Sequence, residues 1–205
     1  RAYRLLDDSN LRDGYERLWD GFLGYHNHDE GWSYEYDGVD PGYLSAVVSF
    51  LSKIYQDNSE PAIYEVIRES VEFCAYFVYP DGFYAGSLGS RNTLHFYPHG
   101  FEIMADKLPM AAAVADAMLH SLADNKLVPP KIMSDRYVFY RVPEFLQSYI
   151  DYHKRPNELP PLPYQRTGIC EYFPRSQISA RSSERYYMIA NLAKGGVLKV
   201  FNRQD

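Results

Sequence analysis

The chain has 205 residues, of which 46 % are hydrophobic and 16 % aromatic, so it can bury a core and is not a disordered segment. Its net charge of −6 argues against nucleic-acid or anionic-membrane binding, which needs a concentrated basic face. Its apolar runs are short, as at Ala111–Ala115, whereas a membrane span needs roughly 20 apolar residues.

Helical patterns fill the first part of the chain. A first helix is predicted over residues 3–18. Asp40 followed by Pro41 is a cap with a first-turn proline, and the apolar residues then repeat at helical spacing to residue 57. A second helix over 60–78 follows after a short link, which predicts an antiparallel hairpin. Further helices are predicted at 100–107, 109–123 and 142–154.

The pattern changes at a proline-rich stretch. Four prolines fall within residues 156–163 and predict an extended linker. Residues 1–165 carry a net charge of −10 and residues 166–205 a net charge of +4. We therefore expect a helical domain over 1–160 and an antiparallel β segment over 161–205.

The β segment has residues of period two that predict four strands, at 169–173, 177–181, 185–191 and 197–201. Four short strands leave open sheet edges. The segment is therefore expected to pack on the helices, to pair with a second copy of the chain through its edges, or to be the opening of a larger β-sandwich of which this chain is a fragment.

Two long loops, 24–40 and 80–99, hold four of the six histidines and many aromatic residues. Each leads into a helix, so the hairpin between them places both loops at one end of a helical stack. The turns Asp29-Glu30-Gly31-Trp32 and Pro80-Asp81-Gly82-Phe83 repeat an acidic, glycine and aromatic order. This arrangement predicts a mainly α fold of α/α-toroid-type helical hairpins, followed by the short antiparallel β segment.

Two stretches then carry a resemblance to a known family. They are residues 186–201, with the sequence YYMIANLAKGGVLKVF, and residues 90–102, with the sequence SRNTLHFYPHGFE. Together with the order of hairpins, proline linker and strands, they resemble the heparinase II/III-like and related polysaccharide lyases, in which an incomplete α/α toroid precedes a β-sandwich. The resemblance implies a carbohydrate-active protein that cleaves an acidic polysaccharide by β-elimination.

Roles for individual residues follow from that implied reaction. Arg91 and Asn92 suit neutralisation of a uronate carboxylate. His95 and Tyr97 suit the base and the acid. The implied catalytic set is His95, Tyr97, Arg91, Asn92 and Glu102, and the implied substrate-binding set is Trp32, Tyr34, Glu35, Tyr36 and Tyr84.

Other readings of the same loops stay open. A glycoside hydrolase would need two facing carboxylates, for which Glu35, Asp37, Asp40 and Glu102 are candidates. A non-catalytic module would use the aromatic loops to bind a glycan or a partner. Arg91 would have a purely structural role if it pairs with Glu102 or Asp81.

No cofactor is predicted. His26-x-His28, followed by Asp29 and Glu30 and with His95 as a further ligand, is a weak candidate for a divalent metal because its spacing is not diagnostic. Two cysteines form neither a disulfide framework nor a metal motif, so they leave the cellular compartment undetermined.

Overall fold

Seven helices and six strands run through residues 2–203, the part of the chain that the computed structural model describes. The helices are α1 (Ala2–Leu6), α2 (Ser9–Leu23), α3 (Pro41–Asp57), α4 (Pro61–Ala75), α5 (His99–Ile103), α6 (Pro109–Ala123) and α7 (Asp135–Ile150). The strands are β1 (His26–Asn27), β2 (Trp32–Ser33), β3 (Cys170–Phe173), β4 (Ile178–Ser182), β5 (Tyr186–Asn191) and β6 (Val197–Asn202).

Local signals explain where most helices begin. Helix α3 starts as predicted, because the Asp40 side chain accepts a hydrogen bond from the Tyr43 N–H and Pro41 occupies the first turn. Helix α6 has the predicted bounds. The single helix predicted over 3–18 is instead broken at Asp7, whose φ of 49° is left-handed. Helix α7 begins earlier than predicted and includes Pro143 in its interior.

The prediction of a mainly α chain of toroid type is wrong. Within residues 2–203, helices together with three short 3₁₀ turns make up 48 % and strands together with isolated bridges 14 %, in two antiparallel sheets, which is a mixed α/β architecture. Helices α3 and α4 do form a hairpin. However, α5 has only five residues, and the segment before α3 folds into the β1–β2 hairpin in place of another helical hairpin.

The four C-terminal strands form one antiparallel sheet in the order β3-β4-β5-β6, and the sheet packs on α4. The Phe173 ring lies 5.1 Å from the Phe73 ring and 5.2 Å from the Tyr76 ring. The Tyr187 hydroxyl donates to the Tyr76 carbonyl at 2.6 Å. Buried residues of the helices and of β4 and β5 belong to one core.

The outer strands of this sheet are β3 and β6. Leu198 and Val200 are exposed on β6, so this edge offers both backbone groups and apolar side chains. Self-association through these edges stays a prediction. No helix within residues 2–203 has the length and apolar character needed to cross a membrane.

Candidate functional site

A single buried carboxylate joins the two loops. Asp40 is 1 % exposed, and its Oδ2 accepts hydrogen bonds from the N–H groups of Arg91 at 2.8 Å and Thr93 at 3.4 Å. Its Oδ1 accepts from the Tyr43 N–H at the start of α3. A Cβ at Gly89 would lie 2.4 Å from Asp40 Oδ2, so glycine is required there. The loop over 80–99 is therefore fixed to the N-terminus of α3.

This arrangement opens a cleft of about 280 Å³ at the joined loops. Four of the five predicted catalytic residues meet there. The cleft is lined by Tyr43, Arg91, Asn92, Thr93, Leu94, His95, Tyr97, Val128 and Tyr137. Tyr43 and Tyr137 come from α3 and α7 and were not among the sequence candidates.

His95 is half-buried in the cleft wall, with its ring centre 4.8 Å from that of Tyr137. Its Nδ1 is buried and has no hydrogen-bond partner within residues 2–203. Burial, reinforced by the positive charge of Arg141, lowers the pKa of His95. His95 is therefore a neutral imidazole at pH 7, the form that can accept a proton.

Arg141 on α7 lies beneath the cleft and was missed by the sequence analysis. It is 1 % exposed, and its guanidinium carbon lies 4.3 Å from the centre of the Tyr97 ring. Its Nε and Nη1 have no hydrogen-bond partner within the described residues. Burial lowers its pKa to about 10, so the group is still charged at pH 7. The helical spacing of Tyr137, Arg141 and Phe145 is the signal that could have found it.

Arg91 forms the opposite rim of the cleft. It is exposed, and its guanidinium carbon lies 3.9 Å from the centre of the Tyr36 ring. Asn92 has a left-handed φ of 56°, and its Oδ1 accepts a hydrogen bond from Lys194 in the β5–β6 turn. The β5–β6 turn thus adds a second cation to the rim beside Arg91, and no local pattern in the sequence pointed to it.

Several other candidates lie outside this cleft. Glu102 is 4 % exposed, and its carboxylate accepts hydrogen bonds from Arg155 at 2.8 and 2.6 Å. Both of its oxygens are therefore used in an ion pair, and its predicted catalytic role does not fit this geometry. Arg91 pairs with neither Glu102 nor Asp81 among the contacts of the described residues; it contacts Tyr36.

The aromatic candidates divide by exposure. Trp32 is 1 % exposed, and its indole N–H donates to Glu30 at 2.7 Å. Tyr84 is 3 % exposed, and its hydroxyl donates to the Pro41 carbonyl. Neither ring presents a face to solvent, so neither can contact a substrate as predicted. Tyr34 and Tyr36 are exposed, and the Arg91 guanidinium lies over the Tyr36 ring.

Glu35, expected beside the substrate, is half-buried next to this rim. Burial raises its pKa, Asp40 raises it further, and Arg91 opposes both effects. Of the four carboxylates considered for a hydrolase, Asp40 and Glu102 have both oxygens occupied by hydrogen bonds. Asp40 and Glu102 are therefore not available as members of a hydrolase pair.

The weak metal candidates have a different partner from those expected. Among the residues described, one group of three has ligand atoms close enough to hold a metal: His26, His28 and Glu69, all within 4.8 Å of one another. Glu30 is instead bound to Trp32 and to the backbone of the β3–β4 turn, and His95 lies in the cleft. Glu69 lies 41 residues after His28 and 43 after His26, so no local spacing in the sequence pointed to it.

No family model, curated protein or solved structure matches this chain.

Proposed function

We propose that this chain is a carbohydrate-active protein that binds an acidic polysaccharide in the cleft and cleaves it by β-elimination. The observation that carries the proposal is the convergence of Arg91, Asn92, His95 and Tyr97 on one cleft. The resemblance to heparinase II/III-like lyases belongs to the same proposal.

The rim of the cleft suits a uronate carboxylate. The Arg91 guanidinium offers a bidentate donor pair, and the Asn92 amide offers a further N–H donor. Lys194 stands beside Asn92, and the charge of Arg141 lies below Tyr97. These cations place positive charge beside the site on a chain of net charge −6, which an anionic polymer requires at short range.

Neutralising the carboxylate makes the proton on the adjacent carbon more acidic. Neutral His95 accepts that proton, and the electron pair left on carbon forms a double bond as the glycosidic C–O bond breaks. A tyrosine hydroxyl, from Tyr97 or its neighbours Tyr43 and Tyr137, donates a proton to the leaving oxygen. Burial raises the pKa of Tyr97, which keeps the hydroxyl protonated before the step.

The test uses the chain with a panel of uronate-containing polysaccharides and measures the ultraviolet absorbance of the unsaturated product. His95→Ala is expected to lower kcat about 100-fold or more, because it removes the base. Arg91→Ala is expected to raise KM. Arg185→Ala, which removes an exposed arginine at the β4–β5 turn, is the matched control and should leave both constants unchanged.

Two outcomes would overturn the proposal. New reducing ends without unsaturated product would show hydrolysis. Tight glycan binding that survives His95→Ala, with no cleavage of any polymer in the panel, would identify a non-catalytic binding module.

A further inference from the structure

The β1–β2 hairpin brings two imidazoles to one carboxylate oxygen on α4. His26 Nε2 lies 3.1 Å from Glu69 Oε2, and His28 Nδ1 lies 2.8 Å from the same oxygen. The His26 side chain is fully buried, Glu69 is largely buried and His28 is exposed. Three ligand atoms from two packed elements therefore point at one small volume that opens to solvent on the His28 side.

The two nitrogen–oxygen separations fit a transition-metal cation. A tetrahedral site with bonds of about 2.0–2.1 Å requires ligand atoms roughly 3.3 Å apart, and both nitrogen–oxygen distances are within about 0.5 Å of this value. The three ligand atoms together lie within 4.8 Å of one another, so the two imidazole nitrogens move closer together when they share one ion. Two imidazoles and one carboxylate favour zinc and similar cations over magnesium or calcium, which prefer oxygen ligands.

The surroundings hold these ligands in place. His26 Nδ1 is hydrogen-bonded to the buried Ser33 hydroxyl at 3.0 Å, which orients the ring as outer partners of metal-bound histidines do. Gly31 packs on the backbone of Glu69, where a Cβ would lie 2.3 Å from the Glu69 carbonyl oxygen. The hairpin is thus fixed against α4 at the position that supplies the third ligand.

The proton positions also allow metal binding. Without a cation, His26 Nε2 and His28 Nδ1 each donate to Glu69. An imidazole with one proton can carry it on either nitrogen, and a move to the other nitrogen frees a lone pair without a net loss of protons. His26 then donates from Nδ1 to Ser33, and His28 from Nε2 to water. Arg68 lies 3.7 Å from the other oxygen, Oε1, and its main partner is Glu65.

We propose that His26, His28 and Glu69 form a binding site for one zinc ion, which holds the β1–β2 hairpin on α4 and leaves one coordination position for water. This site is separate from the polysaccharide cleft and does not depend on its function. Zinc that binds the folded chain and not the unfolded chain would stabilise the folded state by mass action.

The experiment treats the purified chain with EDTA, removes the chelator, and titrates ZnCl₂ by calorimetry and by thermal unfolding. We expect one zinc per chain and a rise in Tm with zinc. Cobalt(II) in place of zinc should give the strong visible absorption of a four-coordinate ion.

His28→Ala removes an exposed ligand without disturbing the core, so it is the principal variant. It should weaken zinc binding more than 10-fold and abolish the shift in Tm. Ser33→Ala should weaken binding about 10-fold, because it removes only the orienting partner. His120→Ala removes an exposed histidine on α6 and should change nothing.

The proposal is wrong if the folded chain takes up no zinc at micromolar concentrations. It is equally wrong if His28→Ala and His120→Ala bind zinc as the parent does, which would indicate dispersed surface binding and a cluster held by hydrogen bonds alone.

Discussion

Arg141 is a buried cation with two guanidinium nitrogens, Nε and Nη1, that lack partners among the residues described. Such unmet donors carry a desolvation cost of about 1–3 kcal/mol each, which stacking on Tyr97 and Phe145 offsets in part. A buried positive charge beneath a cleft changes the pKa values of the titratable groups that line it. After burial, the positive charge of Arg141 is the second cause that lowers the pKa of His95 in the cleft wall.

The pKa of His95 provides the test at this scale. Arg141→Met removes the positive charge but keeps a side chain of similar length, so the pKa of His95 should rise toward its ordinary value. The acid limb of the pH–rate profile should move to higher pH in the same variant. NMR titration of the His95 imidazole measures the change in its pKa directly. The signal of His120, an exposed histidine on α6, is the control and should be the same in the variant and the parent. An unchanged or lower pKa of His95 would show that burial alone sets it.

At the scale of elements, Glu30 connects the β1–β2 hairpin to the C-terminal sheet. Its buried carboxylate accepts hydrogen bonds from the Trp32 indole N–H at 2.7 Å and from the Ser176 N–H at 2.9 Å, and also from the Arg175 N–H. Ser176 belongs to the β3–β4 turn, 146 residues away along the chain. One side chain thus joins elements from both ends of the sequence.

Glu30→Ala is therefore expected to lower the free energy of unfolding by at least about 2 kcal/mol, because it leaves three donors without their acceptor. Urea unfolding followed by tryptophan fluorescence measures this change. The neighbouring exposed residue gives the control, since Asp29→Ala should alter stability by no more than about 0.5 kcal/mol. A loss for Glu30→Ala as small as that of the control would show that water replaces the carboxylate.

The same two loops show what local patterns could predict of the site. Arg91, Asn92, His95 and Tyr97 lie within seven residues of one loop, so their common location follows from chain connectivity. Glu102 is only five residues beyond Tyr97, in helix α5, yet its carboxylate pairs with Arg155 outside the cleft. Local patterns could not predict the burial of Trp32 and Tyr84 either, because burial depends on which residues pack over these rings.

For the molecule as a whole, the sheet and the helices bury a common core. Phe173 contacts α4, and Tyr187 donates to the Tyr76 carbonyl at the end of that helix. The Asn191 side-chain amide of β5 donates to the Leu88 carbonyl, which also joins the sheet to the helical part of the chain. Separating the two parts would expose these groups to water at the same time. The boundary predicted near residue 160 marks a change of sequence pattern. Whether the parts on either side of it unfold independently is a separate question.

We expect the chain to unfold in one cooperative transition. In urea, Trp19 and Trp32 fluorescence and hydrogen exchange at β5 should report the same midpoint, because each part loses its packing when the other unfolds. Two separated midpoints would contradict this and would favour independent units over 1–160 and 161–205.

Local sequence was enough to predict the elements that depend on neighbouring residues. Asp40 with Pro41 begins α3, Pro109 begins α6, and residues of period two form the last four strands, since capping and side-chain alternation act over a few residues. Which distant side chains meet depends instead on how these elements pack in three dimensions. Glu69 reaches His26, and Arg141 reaches Tyr97, across separations of more than 40 residues that local patterns do not encode. The mixed α/β architecture depends on the same long-range packing, because the helices and the C-terminal sheet bury their apolar faces against each other in one core.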